Sequence, residues 1–349
     1  MATEQDKIFM QRCLELAKLA KGNTSPNPMV GSVIVHKGKI IGEGYHKKCG
    51  EAHAEVQAVN SVKDKTLLKS STIYVNLEPC AHIGRTPSCA NMIIENKIPR
   101  VVIGCLDSFE KVDGKGMQML RNAGCEIEIN VLHSECRELN RRFFTFHEKK
   151  RPYVILKWAQ TIDGLIDLIR PPLSPIQSNW ISDEHSRTWV HKLRAEEDSI
   201  MIGTNTVEKD NPQLNVREWI GKNPTRIVID KSLRINPSFN IFDNSIKTII
   251  FNEKVNKIIE NTEYVKINFA KEIINEILQI LHQKDIQSII VEGGAILLNT
   301  FISQNLWDEA YLFVGQRFFN NGIAAPSIKQ IPKEIEFPGK VGLFYYRNQ

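Results

Sequence analysis

The sequence predicts an α/β chain of two domains, and three observations carry that expectation. Short β-rich runs alternate with helical patterns from Val30 to Val131; the alternation breaks at the charged stretch His147-Glu148-Lys149-Lys150-Arg151-Pro152; and it restarts at Tyr153. Length agrees, because 349 residues exceed the roughly 100 to 200 of one domain. A hydrophobic content of 42% supplies enough apolar side chains for two cores.

Taken in order, Phe9, Met10, Cys13, Leu14 and Ala17 share one face of a first helix. Charges throughout this N-terminus leave no apolar core of a signal peptide, so it reads as a mature helix. Strands are expected at Val30–Val35, Lys39–Tyr45, Thr72–Asn76, Arg100–Gly104 and Cys125–Val131, with helices at Ala54–Val62, Cys89–Asn96 and Gly116–Asn122. A helical stretch carrying Leu139, Phe143, Phe144 and Phe146 follows and ends toward Pro152, which disfavours helix in the residue before it. The domain boundary is placed there, giving 1–148 and 149–349. Strands then recur at Tyr153–Ala159, Ser199–Gly203, Arg226–Asp230, Thr248–Asn252 and Ser288–Val291, with helices at Asp183–Glu196, Glu272–His282 and Ala295–Ser303. Pro171-Pro172-Leu173-Ser174-Pro175 reads as a rigid loop within the second domain.

Composition removes several function classes. The net charge of +5 is spread without a basic tail or arginine stripe, so a small phosphorylated substrate fits better than a nucleic acid. No apolar run reaches the roughly 18 to 20 residues that span a bilayer, so a soluble, cytoplasmic protein is expected. Oligomeric state is left open, a homo-oligomer included. Seven cysteines without a secretion signal make metal or core roles the first expectation.

The chemistry concentrates first in His53-Ala54-Glu55, followed by Pro79-Cys80 and then Cys89. One imidazole and two thiolates can hold zinc tetrahedrally with the fourth position left to water, the open arrangement of a catalytic site. Such water loses its proton near neutrality and can attack an amidine carbon. Glu55, two residues after His53 at a helix start, is placed to move protons between water, ring nitrogen and departing amine without being a ligand. Singly, each of these residues has an ordinary reading as a core side chain; the joint pattern gives the specificity. Cys13, Cys49, Cys105, Cys125 and Cys136 lack ligand spacing and are read as core or surface residues. His82 is excluded, because a fourth protein ligand would close the water position.

Ser25-Pro26-Asn27-Pro28-Met29-Val30-Gly31, then Gly42-x-Gly44-x-His46, the H-A-E triplet and the P-C-A-H-I-G-R-T-P-S-C segment together resemble the bifunctional riboflavin-biosynthesis deaminase/reductase family. That resemblance implies a cytidine-deaminase-like α/β/α N-terminal domain acting on 2,5-diamino-6-(5-phosphoribosylamino)pyrimidin-4(3H)-one. It also implies that Asn27 and His46 face the pyrimidine and that Arg85 lies toward the phosphoribosyl group. Two departures stand out: Arg85 replaces the usual lysine, and Asp107-Ser108-Phe109-Glu110 replaces the usual Asp-Pro-Asn-Pro.

The resemblance continues through Lys157-Trp158-Ala159-Gln160-Thr161-Ile162-Asp163-Gly164, Ser178-Asn179-Trp180-Ile181, Leu193-Arg194, Gly203-Thr204-Asn205-Thr206-Val207, Asp210-Asn211-Pro212-x-Leu214-x-x-Arg217 and Glu292-Gly293-Gly294. It implies a dihydrofolate-reductase-like α/β domain that reduces the ribosyl group of 5-amino-6-(5-phosphoribosylamino)uracil with NADPH. By the same resemblance Ser178, Arg194, Leu214, Arg217 and Glu292 contact substrate, and Ala159, Trp180, Thr206, Asp210 and Gly294 through Thr300 line the cofactor site. From the residues alone, Gly293-Gly294 between a strand and a helix can hold a pyrophosphate on free backbone amides, though an ordinary turn looks the same. Arg194 and Arg217 offer guanidinium forks suited to a 5′-phosphate, against an ordinary reading as solvated charges. Trp180 is equally compatible with a core aromatic. No G-x-G-x-x-G follows a strand, so a Rossmann domain is not supported. Leu165 stands where the family usually has lysine or arginine.

Two other functions are compatible with parts of this pattern. One is a zinc deaminase of tRNA or nucleosides with an accessory C-terminal module, which the second ordered motif set disfavours. The other is a nonenzymatic zinc-stabilised binding protein, against which stand Glu55 and the lack of a paired fourth ligand.

Overall fold

The first helix, α1 (Glu4–Lys18), begins where Thr3 and Asp6 cap each other, the side chain of each taking the backbone N–H of the other. The computed structural model describes residues 2–81, 88–108, 114–171, 174–176 and 179–348. Arg85, His82, Ser178, Phe109 and Glu110, which the sequence singled out, lie outside them. The chain divides into two compact units, Met1–Lys150 and Arg151–Gln349.

In the first unit α1 is followed by β1 (Gly31–His36), β2 (Lys39–Tyr45), α2 (Ala54–Ser61), β3 (Thr72–Leu77), α3 (Cys89–Glu95), β4 (Arg100–Cys105), α4 (Lys115–Asn122), β5 (Glu126–Glu128), α5 (His133–Leu139) and α6 (Arg141–Lys149). The strands form one sheet in the order β2-β1-β3-β4-β5, with β3, β4 and β5 parallel. Alternation along each strand serves both faces. Val33, Val35, Tyr74 and Val102 pack toward α1, α5 and α6, while Ile34, Ile73, Val75, Val101 and Ile103 pack toward α2, α3 and α4. The unit is therefore an α/β/α sandwich. Two sequence expectations change. The strand expected over Cys125–Val131 is only three residues long, and the single helical stretch through Leu139 and Phe143 is two helices broken at Asn140 (φ −101°, ψ 24°).

The second unit contains β6 (Tyr153–Thr161), β7 (Leu165–Asp167), α7 (Glu184–Glu196), β8 (Ser199–Gly203), α8 (Thr204–Asp210), β9 (Thr225–Ile229), β10 (Thr248–Asn252), β11 (Lys257–Ile259), β12 (Thr262–Lys266), α9 (Ile273–Gln283), β13 (Ser288–Glu292), α10 (Ala295–Ser303), β14 (Glu309–Gly315), β15 (Ile323–Ala324), β16 (Glu334–Glu336) and β17 (Gly342–Arg347). Its main sheet runs β11-β12-β10-β9-β8-β13-β6-β14-β17-β16, parallel from β12 to β14 and antiparallel at both margins. Ile274, Ile277, Leu278 and Leu281 of α9, with Leu298 and Phe301 of α10, cover one face. Leu193 of α7 and Val207 of α8 pack against the other. The strands after Ser303 were not predicted, and β14 is nevertheless interior to the sheet, pairing in parallel with β6 along seven residues and antiparallel with β17.

Candidate active sites

In the first unit, tight backbone packing positions the chemistry. A Cβ on Gly42 would sit 2.5 Å from the Ala58 carbonyl oxygen, and one on Gly44 would sit 2.4 Å from the Ala58 nitrogen. Glycine at both places lets α2 lie directly on β2. This packing sets His53, the residue that begins α2, and Glu55 in its first turn. Cys80 follows the end of β3, and Cys89 opens α3, where Ser88 caps the helix by accepting the N–H of Asn91.

These elements bring His53, Cys80 and Cys89 together, with ligand atoms all within 4.8 Å of one another. His53 Nδ1 lies 3.6 Å from Cys80 Sγ and 3.3 Å from Cys89 Sγ. Tetrahedral zinc with bonds of about 2.3 Å to sulfur and 2.05 Å to nitrogen would hold such atoms about 3.6 Å apart, so the donor set fits the ion. The Cys89 backbone N–H donates to Cys80 Sγ at 3.3 Å. Hydrogen bonding from the Cys89 thiol, assisted by His53, pulls the Cys80 thiol well below its ordinary value, which favours a thiolate ready for a cation. Glu55 is buried at 3% exposure. Burial, reinforced by the Cys80 charge, pushes its carboxyl up to about 7. Facing this cluster, His46 Nδ1 donates to the Ala52 carbonyl at 3.2 Å, which leaves Nε2 to accept from Asn27 Nδ2 at 3.1 Å. The His46 and His53 rings meet edge to face, 5.5 Å between centroids.

In the second unit, residues scattered from β6 to α10 line a cavity of about 1030 Å³ at the carboxyl ends of the parallel strands. Ala159, Trp180, Arg194, Thr206, Asp210, Leu214, Arg217, Glu292 and Gly294 all contribute to its wall. Trp180 is not a core aromatic. It is half exposed, and the Arg187 guanidinium lies 5.0 Å from its ring centre.

Gly293 adopts φ +122°, and a Cβ there would meet Thr206 Oγ1 at 2.9 Å. The adjacent Gly294 N–H donates to that hydroxyl at 3.1 Å, so the turn into α10 is held from across the cavity. Leu214 is buried in the left-handed region (φ 52°). Its loop is fastened from below by Arg226, a fully buried side chain. Arg226 Nε donates to the Gln213 carbonyl at 2.9 Å, and its guanidinium pairs with Asp243 at 2.7 Å.

Arg194 does not present an open fork. Its Nη2 bonds Glu292 at 3.0 and 3.3 Å, while its buried Nε has no protein partner among the described residues. The Arg217 side chain is more open, at 42% exposure, and its backbone N–H donates to His191 Nδ1 at 3.2 Å. Burial, with Arg194 and Arg217 nearby, lowers His191 to about 4 and keeps it a neutral acceptor. Lys157, quoted in a motif but given no role, lines the same cavity with Nζ 3.8 Å from Glu292 Oε2. Burial lowers its ammonium, with Arg194 adding to the effect and Glu292 opposing it. A lysine inside the apolar run of β6 was the available signal. Arg170, from the segment before Trp180, also reaches the wall and pairs with Asp167 and Asp210 at 3.0 and 3.1 Å.

With both sites in view, residues 3–105 match the cytidine and deoxycytidylate deaminase zinc-binding region, and residues 152–324 match the RibD C-terminal domain. The riboflavin biosynthesis protein RibD of Aquifex aeolicus (strain VF5) is 41% identical, covering 99% of each chain. The chain belongs to the RibD family. Escherichia coli (strain K12) RibD is 32% identical over 91% of this chain and 89% of its own. The crystal structure of a diaminohydroxyphosphoribosylaminopyrimidine deaminase/5-amino-6-(5-phosphoribosylamino)uracil reductase from Thermotoga maritima superimposes with a TM-score of 0.88, at 35% identity and 99% coverage of both chains. The fold is thus cytidine-deaminase-like followed by dihydrofolate-reductase-like. The protein is a bifunctional enzyme with a zinc-binding deaminase half and a reductase half that uses a nicotinamide cofactor. A lone tRNA or nucleoside deaminase is not favoured. Among the described residues no helix is long and apolar enough to cross a membrane.

Proposed function

We infer that the chain carries out two successive steps of riboflavin biosynthesis. The first removes ammonia hydrolytically from 2,5-diamino-6-(5-phosphoribosylamino)pyrimidin-4(3H)-one. The second reduces the ribosyl group of 5-amino-6-(5-phosphoribosylamino)uracil to ribityl with NADPH. The reading is carried by the convergence, within one chain, of the His53, Cys80, Cys89 and Glu55 cluster and the nine motif residues around the second unit's cavity.

His53, Cys80 and Cys89 would hold one zinc ion, which when bound brings the ionisation of a water toward neutral pH. Glu55, buried beside the cluster, takes one proton from the attacking water to the ring nitrogen and then carries the second, from the new hydroxyl, to the leaving amine. Asn27 and His46 orient the pyrimidine, and Arg85 takes the phosphoribosyl role that the family resemblance implies. In the second unit Arg194, Arg217, Leu214, Glu292 and Ser178 bind the deaminated pyrimidine, with the more open Arg217 guanidinium offered to its phosphate. Lys157 and Arg194 together fix the Glu292 carboxylate. Ala159, Trp180, Thr206, Asp210 and Gly294 line the nicotinamide dinucleotide, which supplies hydride when bound. Positioning at close quarters is the chief contribution of these groups.

Incubation with the diaminopyrimidine ribotide, with and without NADPH, tests the assignment. Ammonia is expected in both conditions and NADPH oxidation only after ammonia has formed. Glu55→Gln stops both when the diamino compound is supplied, yet leaves reduction of the deaminated compound intact. Zinc-loaded protein that releases no ammonia would overturn the substrate assignment.

A further inference from the structure

Asn27 stands between Pro26 and Pro28, which have no amide proton, so this segment cannot secure itself through a backbone ladder of its own. Its own N–H reaches back to the Thr24 carbonyl at 2.7 Å. Met29 offers the first peptide N–H after Asn27, and two buried side-chain amides converge there. Asn140 accepts the Met29 N–H at 2.8 Å and donates to the Met29 carbonyl at 2.9 Å, forming a two-point clasp across 111 residues of sequence. Asn76 donates to the same carbonyl at 3.1 Å and accepts the Gly31 N–H at 2.7 Å. Both lone pairs of the Met29 oxygen are therefore engaged.

Asn140 is 2% and Asn76 0% exposed. Burying such amides is unfavourable unless every bond is met, and packing alone would be served better by leucine. What the clasp fixes is the segment from which Asn27 reaches His46 Nε2, and through His46 the Ala52 carbonyl beside His53. Asn140 lies at the break between α5 and α6, beyond the residues 3–105 that match the deaminase region. Phe143 and Phe144 seat those helices in the same core as α1.

We propose that Asn140 is a positioning residue for the deamination, holding the Met29 peptide and thereby Asn27 and His46 where the pyrimidine binds. The α5–α6 segment is then part of the deaminase site and does not serve merely as a connector to the second unit. The proposal rests on the deaminase reading of the first unit.

The test uses the full chain carrying Asn140→Ala, alone and combined with Asn27→Ala. Ammonia release is followed against concentration of the diaminopyrimidine ribotide, together with zinc per chain and NADPH oxidation on the deaminated compound. Asn140→Ala is expected to raise the deaminase KM about tenfold, a loss of the size that two buried hydrogen bonds produce, with zinc content and reductase kcat/KM unchanged. Because Asn140 acts through Asn27, the second substitution should add less than about twofold to the first. Should Asn140→Ala fail to fold, Asn140→Asp keeps the acceptor for the Met29 N–H and sets a carboxylate against its carbonyl, and the same KM signature is expected. An unchanged KM, effects that multiply fully with Asn27→Ala, or a fall in kcat through zinc loss would each overturn the proposal. Wild-type protein that is zinc-loaded but releases no ammonia would instead sink the deaminase reading beneath it.

Discussion

Glu292→Gln removes one charge from the reductase cavity at almost constant volume, so it isolates the electrostatics of that wall. Glu292 Oε2 lies 3.0 Å from Arg194 and 3.8 Å from Lys157, and the three side chains are 12%, 12% and 16% exposed. With an effective dielectric constant of about 20, the gross attractions are about 5.5 and 4.4 kcal/mol. Most of that is consumed by desolvating the three groups, and what a deletion exposes is the cost of two cations left without a counterion, about 3–5 kcal/mol. For a unit of this size the melting temperature should fall by about 6–20 °C. The pH dependence gives the sign. Lys157 is already held below its ordinary value by burial, and the substitution removes the carboxylate that opposes that shift. In the variant the folded state sheds this proton at lower pH, while the unfolded lysine keeps it to about pH 10.4. Raising the pH therefore relieves the penalty, and the gap to wild type should narrow from pH 7 to pH 9. Melting curves at several pH values measure this, with ammonia release as a control on the other unit. A variant that melts within about 2 °C of wild type at every pH would refute the idea that this carboxylate neutralises both cations.

Other perturbations have equally defined outcomes. Gly293→Ala places a methyl group 2.9 Å from Thr206 Oγ1 at φ +122°; it should cost about 1–2 kcal/mol and raise the KM for NADPH about tenfold, leaving ammonia release untouched. Asp6 is buried, which by itself would raise its carboxyl, but hydrogen bonds from Arg100, Thr3 and Tyr74 outweigh this and hold it well below the usual range. Its contribution is complete above the unfolded value near pH 4 and is lost as pH falls through the folded one. Asp6→Asn should cost about 3 kcal/mol in urea unfolding at pH 7, with the difference closing on acidification. Removing zinc with a chelator should abolish ammonia release and leave NADPH oxidation on the deaminated pyrimidine unchanged, and added zinc should restore the first activity. Arg226→Met strips the Gln213 and Asn240 carbonyls of their buried donor, and should destabilise the second unit by about 3–5 kcal/mol while raising the KM for the pyrimidine.

Much of the architecture was legible because its signals are local. The helix over Ala295–Ser303 and the strands over Ser199–Gly203 and Thr248–Asn252 coincide with the expected residues. The apolar runs of the two strands are short, bounded and buried on both faces. The cysteine and histidine pattern was legible for a different reason. Zinc demands particular atom types, and few residues supply them. β14 was missed although Ala310-Tyr311-Leu312-Phe313-Val314 is an apolar run of the same kind; what the chain could not give locally was its place between β6 and β17, far away in sequence. The break at Asn140 was equally hidden, because a polar residue between two helical patterns gives no warning that its amide is needed elsewhere.

By itself the sequence determined the two α/β domains, the restart at Tyr153, and the order along the chain of the histidine and cysteine donors that the fold brings together. Composition, periodicity and donor chemistry are properties of the chain before it folds. Only the tertiary structure decided which charges meet. It set Arg194 against Glu292 with Lys157 beside them, buried Arg226 beneath the Leu214 loop, and closed Asn76 and Asn140 on the Met29 peptide. Those contacts span tens to more than a hundred residues, and their strength comes from burial, which exists only once the sheets and helices have packed.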